Sequence, residues 1–251
     1  MQDSIRGLLI ALLLGLFMTF DATAVETKVT TTVVSDDAEW VVFLHGLARS
    51  GKSMRRIAAA FQDAGYNTCI VDYPSTDRPI ETLARDHVAP AIREQVPGDR
   101  RVHFVTHSMG GILVRQLDHD AALPRMGRVV MLSPPNGGSE VVDKIGGFAP
   151  FGWVNGPAGR QLGTGADSVP NRLGPVGFEL GVITGRRSIN WILSTMIDGP
   201  DDGKVSVERA KIEGMSDFRV IAATHPFIMK KPEAIQLALQ FMATGSFAPR
   251  D

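Results

Sequence analysis

The chain has 251 residues and a formal net charge of −1, with 26 lysine and arginine residues against 27 aspartate and glutamate residues. This length suffices for one large domain with a full hydrophobic core, and the near-neutral charge argues against nucleic-acid binding, which needs clustered positive charge. The single cysteine, Cys69, rules out an internal disulfide framework and a multi-cysteine metal site, and its apolar neighbours predict a buried position.

Residues 1–24 have the pattern of a secretory signal peptide. Arg6 precedes an uncharged run at residues 7–20, and Ala22-Thr23-Ala24 supplies a small-residue cleavage site. The uncharged run is shorter than the roughly 20 apolar residues of a membrane-spanning helix. We therefore expect cleavage after Ala24 and a secreted or periplasmic protein, with membrane anchoring by an uncleaved signal as the alternative.

The next part of the chain alternates strand and helix patterns. Continuous apolar runs predict strands at residues 40–44, 68–71, 102–106 and 129–132. Helical periodicity predicts helices at residues 53–64, 80–96 (across Pro90) and 111–123. Such alternation indicates an α/β fold, with a mostly parallel sheet covered by helices on both faces. A Thr/Val-rich stretch at residues 27–34 predicts an antiparallel edge strand.

Residues 134–177 interrupt this alternation with frequent glycine and proline, which predict little helix or sheet. Phe148, Phe151 and Trp153 within it indicate partial packing, as expected of a lid-like insert over a site. Periodic patterns return at residues 180–184, 189–197, 218–223 and 232–242. We expect residues 25–251 to form a single domain that contains this insert.

Two motifs compete for the functional site, and the first is Thr106-His107-Ser108-Met109-Gly110-Gly111. It follows an apolar strand and opens a helix, which is the setting of a nucleophile elbow that exposes a serine hydroxyl. The free N–H groups and positive dipole end of that helix suit a tetrahedral oxyanion. The alternative is a plain turn in which Ser108 caps the helix.

The second motif, Gly46 to Ser53, matches the phosphate-loop pattern of nucleotide-binding proteins in full. Asp72 at the end of the next strand resembles a magnesium-binding partner. Export from the cytoplasm, where nucleotides are abundant, weakens this hypothesis. The nucleotide-binding hypothesis also gives Ser108 no role. Nucleotide binding remains the alternative function.

A serine nucleophile needs a base and a carboxylate that orients the base. His225 follows a late apolar strand, and loops at the carboxyl ends of parallel strands meet at one edge of the sheet. The acid is expected between Ser108 and His225, where Asp202 precedes a turn-forming glycine and Asp201 is the fallback. Asp198 and Asp217 are further candidates for the same role.

His45-Gly46-Leu47 follows the first central strand, where a main-chain N–H can complete an oxyanion hole. We assign that role to the backbone of Leu47 and of Met109, and we interpret His45 as a scaffold residue.

Together these residues resemble the α/β-hydrolase superfamily over nearly the whole chain after the signal, and bacterial lipases and the GPI-inositol-deacylase-like group most closely. The resemblance implies that Ser108 is the nucleophile, His225 the general base and Asp202 the orienting acid. One departure is Thr106, because the first position of the elbow usually holds glycine or alanine.

The expected function is hydrolysis of carboxylic esters, of small molecules or of lipids, without a metal or other cofactor. Transient contact with a membrane surface is expected, and the sequence leaves the oligomeric state open. An acyltransferase or a thioesterase would use the same triad, and a hydrolase fold that only binds ligands is a further alternative.

Overall fold

The computed structural model describes residues 26–123, 125–147 and 149–248, and the predicted signal peptide lies outside these ranges. Seven strands form one sheet in the order β1-β3-β2-β4-β5-β6-β7. Strand β1 runs antiparallel to β3, and the remaining neighbours are parallel. The predicted mostly parallel sheet with an antiparallel edge is therefore confirmed. The strands are β1 (Lys28–Thr32), β2 (Trp40–Leu44), β3 (Asn67–Asp72), β4 (Val102–His107), β5 (Met126–Leu132), β6 (Leu180–Gly185) and β7 (Asp217–Ile221).

Helices connect the strands and cover both faces of the sheet. Those before residue 134 are a 3-10 turn (Gly51–Met54), α1 (Arg55–Asp63), α2 (the consecutive segments Ile80–Thr82, Leu83–Val88 and Ala89–Gln95) and α3 (Met109–His119). The later ones are α4 (Glu140–Ile145), α5 (Ala149–Arg160), α6 (Val169–Arg172), α7 (Trp191–Ser194), α8 (Val207–Ala210), a second 3-10 turn (His225–Lys230) and α9 (Pro232–Thr244). Among the described residues, no helix is both long enough and apolar enough to cross a membrane.

The core has two halves, one on each face of the sheet. Along β2, Val42 and Leu44 pack on one face with residues of α2 and α3, whereas Val41 and Phe43 pack on the other with residues of α1 and α9. Because successive strand residues point to opposite faces, an unbroken apolar strand serves both halves. Cys69 is fully buried in β3 as predicted, and burial raises the pKa of its thiol to about 12.

Helix α2 accommodates Pro90 by widening before it. The segment Leu83–Val88 is a π-helix, and Pro90 then lies in the first turn of Ala89–Gln95. Proline has no N–H to donate and its ring crowds the carbonyl four residues earlier, so an ordinary α-helix would be strained at this position. The predicted helix across Pro90 therefore forms, with a π segment that periodicity alone does not reveal.

The expectation that residues 134–177 contain little helix was wrong, because α4, α5 and α6 lie within them. Proline is placed where it does no harm, as with Pro170 in the first turn of α6. Gly156, with φ 62° and ψ −164°, forms a kink inside α5 directly before Pro157. A Cβ at Gly156 would collide with the backbone of Thr76, so the kink also permits a close approach. Phe148 lies outside the described residues.

Candidate active site

Ser108 occupies a strained turn between the end of β4 and the start of α3. Its φ of 53° and ψ of −124° lie outside the regions that side-chain-bearing residues normally adopt. The Ser108 N–H donates to the carbonyl of Leu132 at 2.9 Å, and the N–H of Gly111 donates to the Ser108 carbonyl at 3.0 Å. The predicted elbow is thus present, and backbone bonds on both sides hold it.

Two glycines permit the close packing that this elbow requires. A Cβ at Gly110 would lie 2.7 Å from the carbonyl oxygen of Leu44 and 2.8 Å from that of His45. A Cβ at Gly46 would lie 3.0 Å from the Cβ of Ser108. Thr106 is fully buried one residue before His107. The departure at Thr106 therefore does not prevent the elbow, because the tight approach occurs at these glycines.

The structure brings the three predicted catalytic side chains into one hydrogen-bonded chain. Nε2 of His225 lies 3.0 Å from Oγ of Ser108, and Nδ1 of His225 lies 2.9 Å from Oδ2 of Asp202. A carboxylate only accepts, so Nδ1–H donates to Asp202 and Nε2 is left to accept the serine proton. This is the geometry of a serine nucleophile, its base and an orienting acid.

Asp202 is fully buried, and its carboxylate is well supplied with donors. Oδ1 accepts from the N–H groups of Lys204 at 3.1 Å and Val205 at 2.9 Å. Burial alone would raise the pKa of Asp202, but the charge and hydrogen bond of His225, with these further donors, lower it. The carboxylate is therefore ionised at neutral pH, as the orientation of His225 requires.

The fallback acid, Asp201, serves the turn instead. Its Oδ1 accepts from Oγ of Ser194 at 2.7 Å and from the N–H of Gly203 at 2.6 Å. Asp217, another candidate, accepts from the N–H of Phe247 at 2.7 Å near the end of the chain. The structure thus pairs Asp202, rather than its neighbours in sequence, with His225.

His107 contacts His225, a relationship that sequence analysis did not predict. Its Nε2–H donates to the main-chain carbonyl of His225 at 2.9 Å, and the two rings are 4.9 Å apart. Burial, with the charges of His225 and Arg49, lowers the pKa of His107 well below its ordinary value. A histidine directly before the serine is a sequence signal that could have indicated this contact.

His45 belongs to the scaffold, as interpreted from the sequence. It is fully buried, its Nδ1 donates to the carbonyl of Gly46 at 2.8 Å, and its ring stacks on that of Tyr73 at 4.1 Å. The hydroxyl of Tyr73 donates to the His45 carbonyl. These contacts shape the β2 loop that carries Leu47.

The predicted oxyanion donors, the main-chain N–H groups of Leu47 and Met109, have no acceptor among the described residues. Leu47 lines the same cavity as Ser108, and among the described residues its N–H has no acceptor. Met109 is the first residue of α3, so no helical carbonyl one turn earlier accepts its N–H. Within the described part of the chain, neither amide is committed to another hydrogen bond.

A cavity of about 590 Å³ opens above the triad. Ser108, Asp202 and His225 lie in its wall, and most of the remaining wall is apolar. Most of the apolar wall comes from two segments, with Pro135, Val141, Val142, Ile145, Pro150, Phe151, Val154 and Leu162 in the first and Ile189, Ile192, Leu193 and Met196 in the second. The insert therefore lines the site through Phe151, but Trp153 is 81% exposed and is not part of the wall.

The phosphate-loop motif uses its polar groups locally. Oγ of Ser53 donates to the carbonyl of Ser50 at 2.7 Å, and Lys52 is exposed. The carboxylate of Asp72 interacts with His45 and with the backbone N–H of Gly51, and both contacts lower its pKa against the opposing effect of burial. An acid thus binds an amide that the nucleotide hypothesis would give to phosphate. These contacts favour the hydrolase interpretation.

A mostly parallel sheet with a strained serine at a strand-to-helix turn, and a late histidine at the same edge, defines an α/β hydrolase. The chain belongs to the alpha/beta hydrolase family, whose profile matches residues 41–233. This confirms the resemblance found in the sequence. No match was found among curated proteins.

Several solved structures share the fold. The mature lipase BlEst2 of Bacillus licheniformis has a TM-score of 0.64 at 20% identity, covering 87% of this chain and 97% of that one. A monoacylglycerol lipase of Paleococcus ferrophilus has a TM-score of 0.58 at 15% identity, covering 88% and 100%. The phospholipase PlaB of Legionella pneumophila has a TM-score of 0.58 at 21% identity, covering 69% of this chain and 46% of that one.

Proposed function

We propose that this α/β hydrolase cleaves carboxylic esters, with Ser108 as nucleophile, His225 as general base and Asp202 as orienting acid. The observation that carries the proposal is the continuous chain of hydrogen bonds, 3.0 Å from Ser108 to His225 and 2.9 Å from His225 to Asp202. The lipases and esterases that share the fold support the same chemistry.

The reaction proceeds in two halves. Oγ of Ser108 attacks the acyl carbon while Nε2 of His225 takes its proton, and that proton then passes to the departing alkoxide as the ester C–O bond breaks. In the second half, His225 takes a proton from water, whose oxygen attacks the acyl-serine. The proton returns to Oγ of Ser108 as the carboxylic acid leaves. Asp202 stabilises the imidazolium in both halves.

The backbone N–H groups of Leu47 and Met109 receive the negative oxygen of each tetrahedral intermediate. Both are free of other acceptors among the described residues, Met109 directly follows Ser108, and Leu47 lines the same cavity as Ser108. Donors that are already oriented need no rearrangement during the reaction, which is why such sites accelerate it. The two amides act whatever the side chains at these positions are.

The apolar wall of the cavity favours an acyl chain, so the substrate is a lipid-like or similarly apolar ester. Trp153 and Trp191, which adjoin the cavity-lining residues Val154 and Ile192 in sequence, are 81% and 75% exposed. Aromatic side chains of this kind suit the interface of a lipid layer. We expect transient contact with membrane surfaces, measured as vesicle co-sedimentation that a Trp153→Ser and Trp191→Ser double variant loses.

Residues 1–24 act as a secretory signal in this proposal, which makes the enzyme secreted or periplasmic. N-terminal sequencing of the protein recovered from the periplasm or medium should begin at Val25. A protein retained in the membrane with Met1 intact would favour the uncleaved anchor instead.

A fluorophosphonate probe tests the nucleophile directly, because it labels only an activated serine. Labelling and hydrolysis of p-nitrophenyl esters should both disappear in Ser108→Ala. The matched control is Ser53→Ala, since Ser53 lies in the phosphate-loop motif and its hydroxyl is bound to Ser50. Labelling that survives Ser108→Ala would refute the proposal.

The same experiment separates the remaining alternatives. An acyltransferase or a thioesterase would also be labelled at Ser108, and comparing oxygen esters, thioesters and added alcohol acceptors tells them apart. A nucleotide-binding protein would show ATP or GTP binding by calorimetry that Lys52→Ala removes.

A further inference from the structure

Two cations share the cavity wall with the triad, and sequence analysis assigned neither a role. Arg49 lies two residues after Leu47, and Lys204 lies two residues after Asp202. Among the described residues that line the cavity, Asp202 is the acid, and its carboxylate is already bound to His225, Lys204 N–H and Val205 N–H. The cavity therefore holds an excess of positive charge.

Neither cation has an acidic partner within the described part of the chain. Arg49 donates from Nη2 to the carbonyl of Pro226 at 3.0 Å, which leaves most of its donors free. Among the described residues, the ammonium group of Lys204 has no hydrogen-bond partner. The hydrogen bonds of Lys204 are made by its backbone, whose N–H donates to Asp202 and whose carbonyl accepts from Ser139. Neither Arg49 nor Lys204 forms a salt bridge with another described residue.

The two charges are close enough to affect each other and the site. Lys204 is accessible to solvent, yet surrounding protein atoms and the charge of Arg49 lower the pKa of its ammonium group, against the opposing effect of Asp202. The charges of Arg49 and Lys204 also contribute to the lowered pKa of His107, after burial and the charge of His225. The two cations therefore act on a residue of the same cavity wall.

The two like charges repel each other, since the charge of Arg49 lowers the pKa of the Lys204 ammonium group. An anion bound by both Arg49 and Lys204 would remove this repulsion and add charge-assisted hydrogen bonds. The arrangement therefore suits an anionic substrate better than a neutral one.

We propose that Arg49 and Lys204 form an anion-binding subsite, and that the substrate is an apolar acyl ester carrying a phosphate or carboxylate group near the scissile bond. This inference rests on the proposed ester hydrolysis, and it specifies the substrate class. The apolar wall receives the acyl chain, while the two cations bind the anionic group and hold the ester over Ser108.

Ligands of one chain length test the subsite without turnover. Calorimetry measures the binding of decyl phosphate, decanoate and decanol to the wild-type protein below their micelle concentrations. We expect at least one anion to bind about tenfold more tightly than decanol, and the preferred anion identifies phosphate or carboxylate as the recognised group. Equal or weaker binding of both anions would overturn the proposal.

Substitutions assign the effect to the two cations. Lys204→Met should remove most of the preference for the anion, and Lys204→Arg should keep it. The preference should also fall at high salt, because ions screen accessible charges. Arg49→Gln should act in the same direction. Lys52→Met is the matched control, since Lys52 is exposed outside the cavity wall. A preference that persists in both cavity variants would place the anion elsewhere and refute the subsite.

Kinetics then separate failure of this inference from failure of the proposed function. Decanoyl lysophosphatidic acid is compared with monodecanoylglycerol. O-Decanoyl lactate is compared with O-decanoyl lactamide, in which a neutral amide replaces the carboxylate and the ester is unchanged. Faster turnover of an anionic ester, lost in Lys204→Met, supports the inference. Equal turnover within both pairs would overturn the inference alone, whereas absence of any ester turnover with intact anion binding would overturn ester hydrolysis and leave the subsite.

Discussion

The imidazole of His107 donates to the main-chain carbonyl of His225 at 2.9 Å, so the residue directly before the elbow serine holds the backbone of the proposed base. Both side chains are buried, and the other ring nitrogen of His107 has no partner among the described residues. The contact fixes the backbone at position 225 while Asp202 fixes its ring. Small displacements of a base are costly, since proton transfer requires hydrogen-bond distance.

Removing this support should slow the chemical step. We expect His107→Phe to lower kcat about tenfold with little change in KM, because it leaves the His225 carbonyl without its donor. His107→Gln should recover most of the rate, since its amide can donate from a similar position. His107 is neutral above its lowered pKa, so the pH profile of His107→Gln should keep the wild-type shape. A change in KM with an unchanged kcat would contradict this role.

Adjacent aspartates should differ sharply in their effect on the rate. Asp202→Asn should reduce kcat by about 10³-fold to 10⁴-fold, because an amide at that position no longer favours the tautomer that can accept the serine proton. Asp201→Asn should change kcat less than tenfold and act mainly on stability, since Asp201 binds Gly203 and Ser194. Steady-state kinetics on both variants decide the assignment, and a larger loss in Asp201→Asn would reverse it.

The same carboxylate links stability to pH. The pKa of Asp202 is lowered in the folded protein below its ordinary value of 3.8, so its charged form stabilises the fold fully above that pH. This contribution is lost as the pH falls from 3.8 through the folded pKa. In thermal unfolding from pH 7 to pH 3, the difference in Tm between the wild-type protein and Asp202→Ala should become smaller toward pH 3. A constant difference in Tm would contradict the linkage.

The glycine after Met109 should be intolerant of a side chain. Gly110→Ala would place a methyl group 2.7 Å from the backbone oxygen of Leu44, so β2 or the elbow must move. We expect a loss of roughly 1–3 kcal/mol in the free energy of unfolding, measured with urea, and a larger relative loss of activity. Gly98→Ala is the matched control, because a Cβ there meets nothing within 4 Å. Equal effects of the two variants would show that the elbow has room.

Much of this architecture was predictable because the signals are local. Continuous apolar runs predict buried parallel strands, and the order of strands and helices limits the sheet to few arrangements. Ser108 was identified because a strand, a tight turn and a helix follow one another within a few residues. His225 was placed correctly because the carboxyl ends of parallel strands share an edge.

Other features depended on contacts that the sequence does not record. The helices of residues 134–177 were not predicted because glycine and proline are frequent there, and tertiary packing decides whether such residues end, kink or merely weaken a helix. Arg49 and Lys204 were overlooked because an isolated cation in sequence is usually exposed to solvent, and only the folded cavity brings the two together.

The sequence by itself determined the fold and the position of the elbow serine, and it predicted that His225 would lie at the same edge of the sheet, since these follow from local pattern and from the geometry of parallel sheets. Only the tertiary structure decided between Asp201 and Asp202. Two neighbours in one turn direct their side chains differently, and the hydrogen bonds at that turn send one carboxylate to His225 and the other to Ser194. The direction of a side chain within a turn depends on hydrogen-bond partners from other parts of the fold, and the spacing of residues in the sequence does not show which partners those are.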